Sequence, residues 1–245
     1  MSLITVNIYN KNFSQNGGKK MNSKKIAGEK AVEFIKDGMI IGLGTGSTVY
    51  YTITKLAKKV KEGLSIKAVS TSSSTTKLAT QLGIEIVPFN EVEYIDLTID
   101  GADEVDNNLN GIKGGGGALL YEKLVASSSK KVIWVVDRSK MISTLGNFPL
   151  PIEVVPFAHH QVLNKLKSLS LNPVLRKLDH NYYITDGQHY IIDLSLEKIE
   201  SPYELDKTLK SLPGVIETGL FLHMADMVIV GDENKVEILN SKNKL

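Results

Sequence analysis

The chain has 245 residues, 42% of them hydrophobic and 23% charged, an ordinary balance for a globular protein with a well-buried core. Its 29 Lys and Arg against 27 Asp and Glu leave a net charge of +2, so global charge argues neither for nucleic acid nor for an anionic membrane as partner. There is no cysteine, which excludes disulfides, thiolate metal sites and a cysteine nucleophile, and fits a cytoplasmic chain.

Residues 1–23 are polar and basic and lack the apolar core of a signal peptide, so they read as a tail, with an organelle signal as the alternative. From Lys24 the texture becomes regular. Ala27, Ala31 and Ile35 predict a helix that Gly38 can end, and "MIIGL" (39–43) predicts a short buried strand. Val49, Ile53, Leu56 and Val60 predict an amphipathic helix closed by Gly63. "IKAVS" (66–70), "IEIV" (84–87), "IDLTID" (95–100) and "KVIWVV" (131–136) read as further strands, with helices near 74–82 and 118–125. Strands alternating with helices over short loops imply an α/β fold with a parallel sheet. The apolar run Val132–Val136 is far short of the roughly 20 residues that span a bilayer.

After "GNFPLP" (146–151) a helix near 158–169, three short strand-like runs, a helix at 202–211 and a "PGV" break predict a second, smaller α+β unit with antiparallel pairing. "DMVIVG" (226–231) and "KVEIL" (235–239) look like strands that rejoin the first sheet. The expected organisation is a tail (1–23), a main domain from 24–149 and 221–245, and a small domain from 150–220.

The chemistry gathers at strand ends. Gly42-Leu-Gly44-Thr45-Gly46-Ser47-Thr48, between a strand and a helix, points backbone N–H groups at an anion. A P-loop would need Lys where Gly46 stands, and a dinucleotide fingerprint would need a third glycine where Ser47 stands. The next strand runs into "STSSSTT" (70–76), all hydroxyls and no ribose-binding acid. A small phosphorylated or polyhydroxylated ligand fits better; a tight turn without ligand is the alternative. In "TIDGADEVD" (98–106), Asp100 and Asp103 sit at a strand's carboxyl end, and Gly101 and Ala102 leave room for a ligand. "DNNLNG" (106–111) imitates a calcium loop, but Gly117 stands where the bidentate Glu belongs, so Asn110-Gly111 reads as a turn. In "KGGGGAL" (113–119), Lys113 precedes four glycines and a helix, a second anion cradle with Glu122 on the helix behind it. Lys140 in "DRSK" is a further cation at a strand end. The five histidines show no ligand spacing, and His159 and His160 are expected to diverge, so no metal or cofactor is expected. A carboxylate base beside Lys⁺ and backbone donors suits proton abstraction α to a carbonyl.

"GLGTGST", "DGADEVD", "KGGGGALLYEKLVA", "DRSK", "FPLPIEV" and "PGVIETGLF", in this order from about Lys24 to the end, closely resemble the A-type ribose-5-phosphate isomerases. The resemblance implies cofactor-free interconversion of ribose 5-phosphate and ribulose 5-phosphate by a Rossmann-like domain carrying a smaller ferredoxin-like one, in dimers or tetramers. Position by position it makes Glu122 the proton acceptor, with Asp100 helping to open the ring and Lys113 steadying the enediolate. Thr45, Gly46, Ser47 and Thr48 match the first ligand loop, Asp100, Gly101, Ala102 and Asp103 the acidic loop, and Lys113, Gly114, Gly115 and Gly116 the second cradle. Lys140 matches a further contact. Two rivals remain: a CoA-transferase with Glu122 as nucleophile, and a non-catalytic sugar-phosphate sensor, which should carry a helix-turn-helix before the first strand.

Overall fold

The computed structural model describes residues 15–241, with side chains from Met21 onward. Its elements run α1 (Gln15–Ala31), β1 (Ile40–Leu43), α2 (Val49–Lys61), β2 (Lys67–Ser70), α3 (Ser73–Gln81), β3 (Leu97–Asp100), β4 (Glu104–Val105), β5 (Gly111–Ile112), α4 (Leu119–Ser127) and β6 (Val132–Asp137). There follow β7 (Leu150–Val154), α5 (His159–Ser168), β8 (Pro173–Leu175), β9 (Lys177–Leu178), β10 (Asn181–Tyr182), β11 (Tyr190–Leu194), α6 (Pro202–Lys210), β12 (Val215–Thr218), β13 (Leu220–Phe221), β14 (Met227–Asp232) and β15 (Lys235–Asn240).

Helix α1 differs from expectation at both ends. It begins at Gln15, inside the segment read as tail, and the rest of that segment, 1–14, lies outside the described residues. Ser23, Ala27 and Ala31 form a buried stripe at four-residue spacing, so the polar start shares one helix with the apolar continuation. A 3-10 turn over Val32–Phe34 closes it, and Ile35 is already extended, so Gly38 is not the terminator.

Six strands form one sheet in the order β15-β14-β6-β3-β1-β2, parallel except for β15 against β14. Without its antiparallel edge this is a doubly wound order, in which the direction of winding reverses between β1 and β3. Alternation along the strands feeds two cores. Ile133, Val135 and Ile229 face α1, α2 and α3, whereas Val132, Trp134, Val136, Val228 and Val230 face the side of α4. "IEIV" is not a strand; it makes one parallel bridge, Ala68 to Ile86, before Pro88 and a 3-10 turn divert the chain.

The second unit is a four-stranded antiparallel sheet, β12-β7-β11-β8, whose chain path β7-α5-β8-β11-α6-β12 is the βαββαβ pattern of ferredoxin-like folds. It packs its own core, including Leu150, Ile152, Val162, Leu166, Ile192 and Leu209. The sequence reading missed a small sheet, β13-β5-β4. Gly111 lies in its strand β5 and not in a turn, and glycine is needed there because a Cβ would stand 2.6 Å from the Trp134 ring. Asp106 makes the turn instead, its carboxylate accepting from the backbone N–H groups of Asn108 and Asn110.

Candidate active site

The loops after β1 and β3 flank the point where the sheet reverses its winding, the place where such folds leave a crevice. The first loop is shaped by a carboxylate. Asp100 Oδ1 accepts from the N–H of Thr45 (3.0 Å) and of Gly101 (2.7 Å), tying the two loops together. A Cβ at Gly44 would stand 1.9 Å from that oxygen, so only glycine lets the carboxylate lie across the turn.

The hydroxyl run 70–76 mostly serves this loop. Thr45 Oγ1 lies 2.9 Å from Thr71 Oγ1 and donates to Ser72 Oγ at 2.8 Å, while Thr75 Oγ1 donates to the Gly44 carbonyl at 2.9 Å. Ser72 also caps α3 by accepting from the Thr75 N–H. No acceptor among the described residues takes the N–H of Ser47 or Thr48, which precede the first turn of α2. Unpaired N–H groups at a helix start are the kind that can receive an anion.

Three charged side chains meet behind the cleft. Lys113 leaves the end of β5, and its Nζ donates to the Gly101 carbonyl at 2.6 Å. It lies 3.0 Å from Asp100 Oδ2 and 3.2 Å from Glu122 Oε2. Neither carboxylate oxygen makes a well-aligned hydrogen bond, so both contacts are electrostatic and held by proximity. Lys113, Asp100 and Glu122 are 2%, 2% and 5% exposed, so the cluster is sealed and its charges interact strongly. The Phe221 ring backs Lys113, 5.1 Å from Nζ.

Two carboxylates cannot both ionise cheaply around one ammonium. Burial first, then the Asp100 charge, push the Glu122 pKa up to about 8 against the pull of Lys113. Burial also raises Asp100, although Lys113 and the amides of Gly101 and Thr45 oppose it. Burial works to strip Lys113 of its proton, but Asp100 and Glu122 outweigh it and hold its pKa above the ordinary value. Glu122 sits in the first turn of α4, where the helix end alone would favour its charged form; desolvation wins.

The cleft in front of this cluster has a volume of about 140 Å³. It is lined by Thr45, Gly46, Ser47 and Thr48 of the first loop, by Gly101, Ala102 and Asp103 of the acidic loop, and by Lys113, Gly114, Gly116 and Glu122. Lys140 also lines the cleft. Two predicted residues do not line the cleft. Asp100 lies beneath it, and Gly115 turns its N–H to the Asp103 carboxylate at 2.8 Å. A larger hollow of about 450 Å³ between α1, α2 and β15 holds none of the predicted site residues and only spread surface charges, so the chemistry belongs to the smaller cleft.

Four residues escaped the sequence reading. Lys24 on α1 lines the cleft and donates to Ser47 Oγ at 2.7 Å. From the antiparallel unit, Arg176 reaches the carbonyls of Gly114 and Gly115, Tyr183 OH donates to the Gly116 carbonyl, and Asp186 accepts from the N–H and hydroxyl of Ser73. Each is distant in sequence from the loop it touches. The one available signal was compositional: only two of the 29 basic residues, Arg138 and Arg176, are arginines. His159 and His160 do not diverge; a 3-10 turn enters α5 directly, His159 Nδ1 lies 2.7 Å from the Pro156 carbonyl oxygen, and the rings end 4.2 Å apart. Among the described residues, no three His, Asp or Glu side chains are grouped to hold a metal, and no helix is long and apolar enough to cross a membrane.

The family model of ribose 5-phosphate isomerase A (phosphoriboisomerase A) matches residues 67–235. Ribose-5-phosphate isomerase A of Bifidobacterium adolescentis is 51% identical over 224 residues, covering 90% of this chain and 96% of its own. Among solved structures, a D-ribose-5-phosphate isomerase in complex with phospho-erythronic acid superposes with a TM-score of 0.85 at 40% identity, covering 89% of this chain and 97% of its own. Ribose 5-phosphate isomerase from Plasmodium falciparum gives a TM-score of 0.85 at 36% identity, covering 91% and 99%. By sequence and by fold, this chain belongs to the ribose 5-phosphate isomerase A family.

Proposed function

We propose that the chain interconverts D-ribose 5-phosphate and D-ribulose 5-phosphate, with Glu122 carrying the proton between C2 and C1. The observation that supports this most is the buried Lys113–Glu122 contact of 3.2 Å, both of whose residues line the cleft between the glycine loops. A group that must take up a proton and return it works best with a pKa near the working pH, and burial brings Glu122 there.

The sugar phosphate enters with its phosphate on the Ser47 and Thr48 amides, where Lys24 and Lys140 supply positive charge. The ring opens to the aldehyde. Asp100 reaches the cleft only through Lys113, so in this proposal it sustains the ammonium that donates to the ring oxygen. Glu122 then removes the C2 proton, and negative charge develops on the oxygen at C1. Lys113 and backbone amides of the second glycine loop receive that charge; such donors are each worth on the order of 10²–10³ in rate. The hydroxyl proton on the C2 oxygen passes to the C1 oxygen as Glu122 returns its proton to C1, which completes the ketose. The phospho-erythronic acid held by a solved relative is a phosphorylated sugar acid, which supports an anionic phosphosugar as occupant.

Formation of ribulose 5-phosphate from ribose 5-phosphate in the presence of EDTA tests the reading. Turnover supports it, and no turnover by folded protein contradicts it. A CoA-transferase would instead build an acyl intermediate on Glu122. The expected organisation into 24–149 with 221–245 and 150–220 is part of the proposal, since the antiparallel sheet spans 150–218 and has its own core. So are a cytoplasmic location, supported by the absence of cysteine, and a homodimer or homotetramer, which sedimentation would test.

A further inference from the structure

The four-glycine loop has no side chains to set its shape; one internal bond, from the Gly117 N–H to the Gly114 carbonyl (2.9 Å), closes its turn, and Asp103, Tyr183 and Arg176 hold it from outside. Of these only Arg176 grips the Gly115 carbonyl. Between β8 and β9, its backbone is pinned on both sides: its N–H donates to the Ile191 carbonyl (2.8 Å) and its carbonyl accepts from the Tyr183 N–H (3.0 Å). Its guanidinium is clamped by Asp193, with Nε to Oδ2 at 2.8 Å and Nη2 to Oδ1 at 2.5 Å. The remaining Nη1 donates to the carbonyls of Gly114 (2.9 Å) and Gly115 (3.3 Å).

In a trans peptide the C=O and the following N–H point in opposite directions. Fixing the Gly115 carbonyl on Arg176 therefore turns the Gly116 N–H toward the cleft, which Gly116 lines opposite Thr45. Among the described residues no acceptor takes that N–H. We propose that Arg176 is a positioning residue for the isomerisation: it holds the Gly114 and Gly115 carbonyls out of the cleft so that the Gly116 N–H faces the oxygen on which charge develops. A lysine would place one point charge and could not hold Asp193 and two carbonyls together. In a chain with only two arginines, one is spent here. The inference rests on the isomerase reading above.

Full-length Arg176→Ala, Arg176→Lys and Tyr183→Phe should be compared with the unaltered chain for kcat, KM and melting temperature, with and without added guanidinium. Arg176→Ala is expected to lose kcat by about 10²-fold with KM within about threefold, because a transition-state donor is misaimed. Arg176→Lys should lose at least about tenfold, and Tyr183→Phe, which frees the Gly116 carbonyl, about three- to tenfold. Guanidinium at low concentration should restore kcat of Arg176→Ala several-fold and leave the unaltered chain unchanged. Should Arg176→Ala not fold, Arg176→Lys and Tyr183→Phe carry the test through their kcat-against-KM split. Folded variants with kcat within twofold of the unaltered chain, or losses confined to KM, overturn this inference alone. An unaltered chain that folds yet does not isomerise ribose 5-phosphate overturns the reading beneath it.

Discussion

The two glycine loops are built on opposite principles. The loop after β1 is held by its own neighbourhood: strand, helix, the Asp100 carboxylate and the hydroxyls of 71–75, all from adjacent βα units. The loop after β5 is held on one side by nearby Asp103 and on the other from far along the chain, by Arg176 and Tyr183 of the antiparallel unit. A binding loop that must recognise a constant phosphate can be part of the sheet. A loop that meets changing charge is instead fixed by groups that keep its amides aimed as the reaction proceeds.

Glu122→Gln should have the largest effect of any single substitution on the second loop's chemistry. Turnover should fall by about 10²–10⁴-fold, the usual worth of a positioned base, while phosphosugar binding by calorimetry stays close to the original. Lys113→Met comes next. It leaves Asp100 and Glu122 buried without a counter-charge, so denaturant unfolding should show a loss of about 3–5 kcal/mol. Turnover of the remaining folded protein should fall by about 10²–10³-fold. On the first loop, Gly44→Ala drives a methyl into Asp100, and a stability loss of about 2–3 kcal/mol is expected with kcat and KM both damaged. If Gly44→Ala leaves KM and stability intact, the first loop is not held as described.

The pH dependence sharpens the contrast. Glu122 has a folded-state pKa raised to about 8 from an ordinary 4.5, so the native state holds a proton that the unfolded chain has released. Its contribution to stability is complete below about 4.5 and is lost as pH rises toward about 8. Glu122→Gln removes that loss, and melting temperatures should show the variant gaining on the unaltered chain between pH 5 and about 8.5. For the unaltered chain, kcat/KM should climb with pH toward a plateau above about 8. The smallest effect is expected from Ser73→Ala, which removes one hydroxyl contact to Asp186 at the first loop's margin, about 0.5–1 kcal/mol with near-normal turnover.

Much of this site was legible in the sequence because its parts are local. Strand-to-helix glycine turns, carboxylates at a strand end and a lysine before four glycines announce themselves within a few residues, and all of them converge. What stayed hidden depends on distance along the chain. The sequence singles out Glu122 by its company, Lys113 and the glycines; taken singly it looks like a surface residue of a short helix, and its burial is what the sequence does not show. Arg176 and Tyr183 meet the loop across about 60 residues of intervening chain, and no periodicity reports such a contact. Asp100 looked like a group facing the ligand; the loop folds over it, because its Oδ1 satisfies the amides of Thr45 and Gly101. The small sheet of β4, β5 and β13 was missed because two-residue strands leave no alternation to read.

The central claim is that one buried carboxylate moves hydrogen between two carbons. It is tested most directly by incubating ribose 5-phosphate in deuterium oxide and following label by NMR. The unaltered chain should place deuterium from solvent at C1 of ribulose 5-phosphate, and Glu122→Gln, folded and still binding the sugar, should place almost none. Label entering at the original rate with glutamine at 122 would contradict the account.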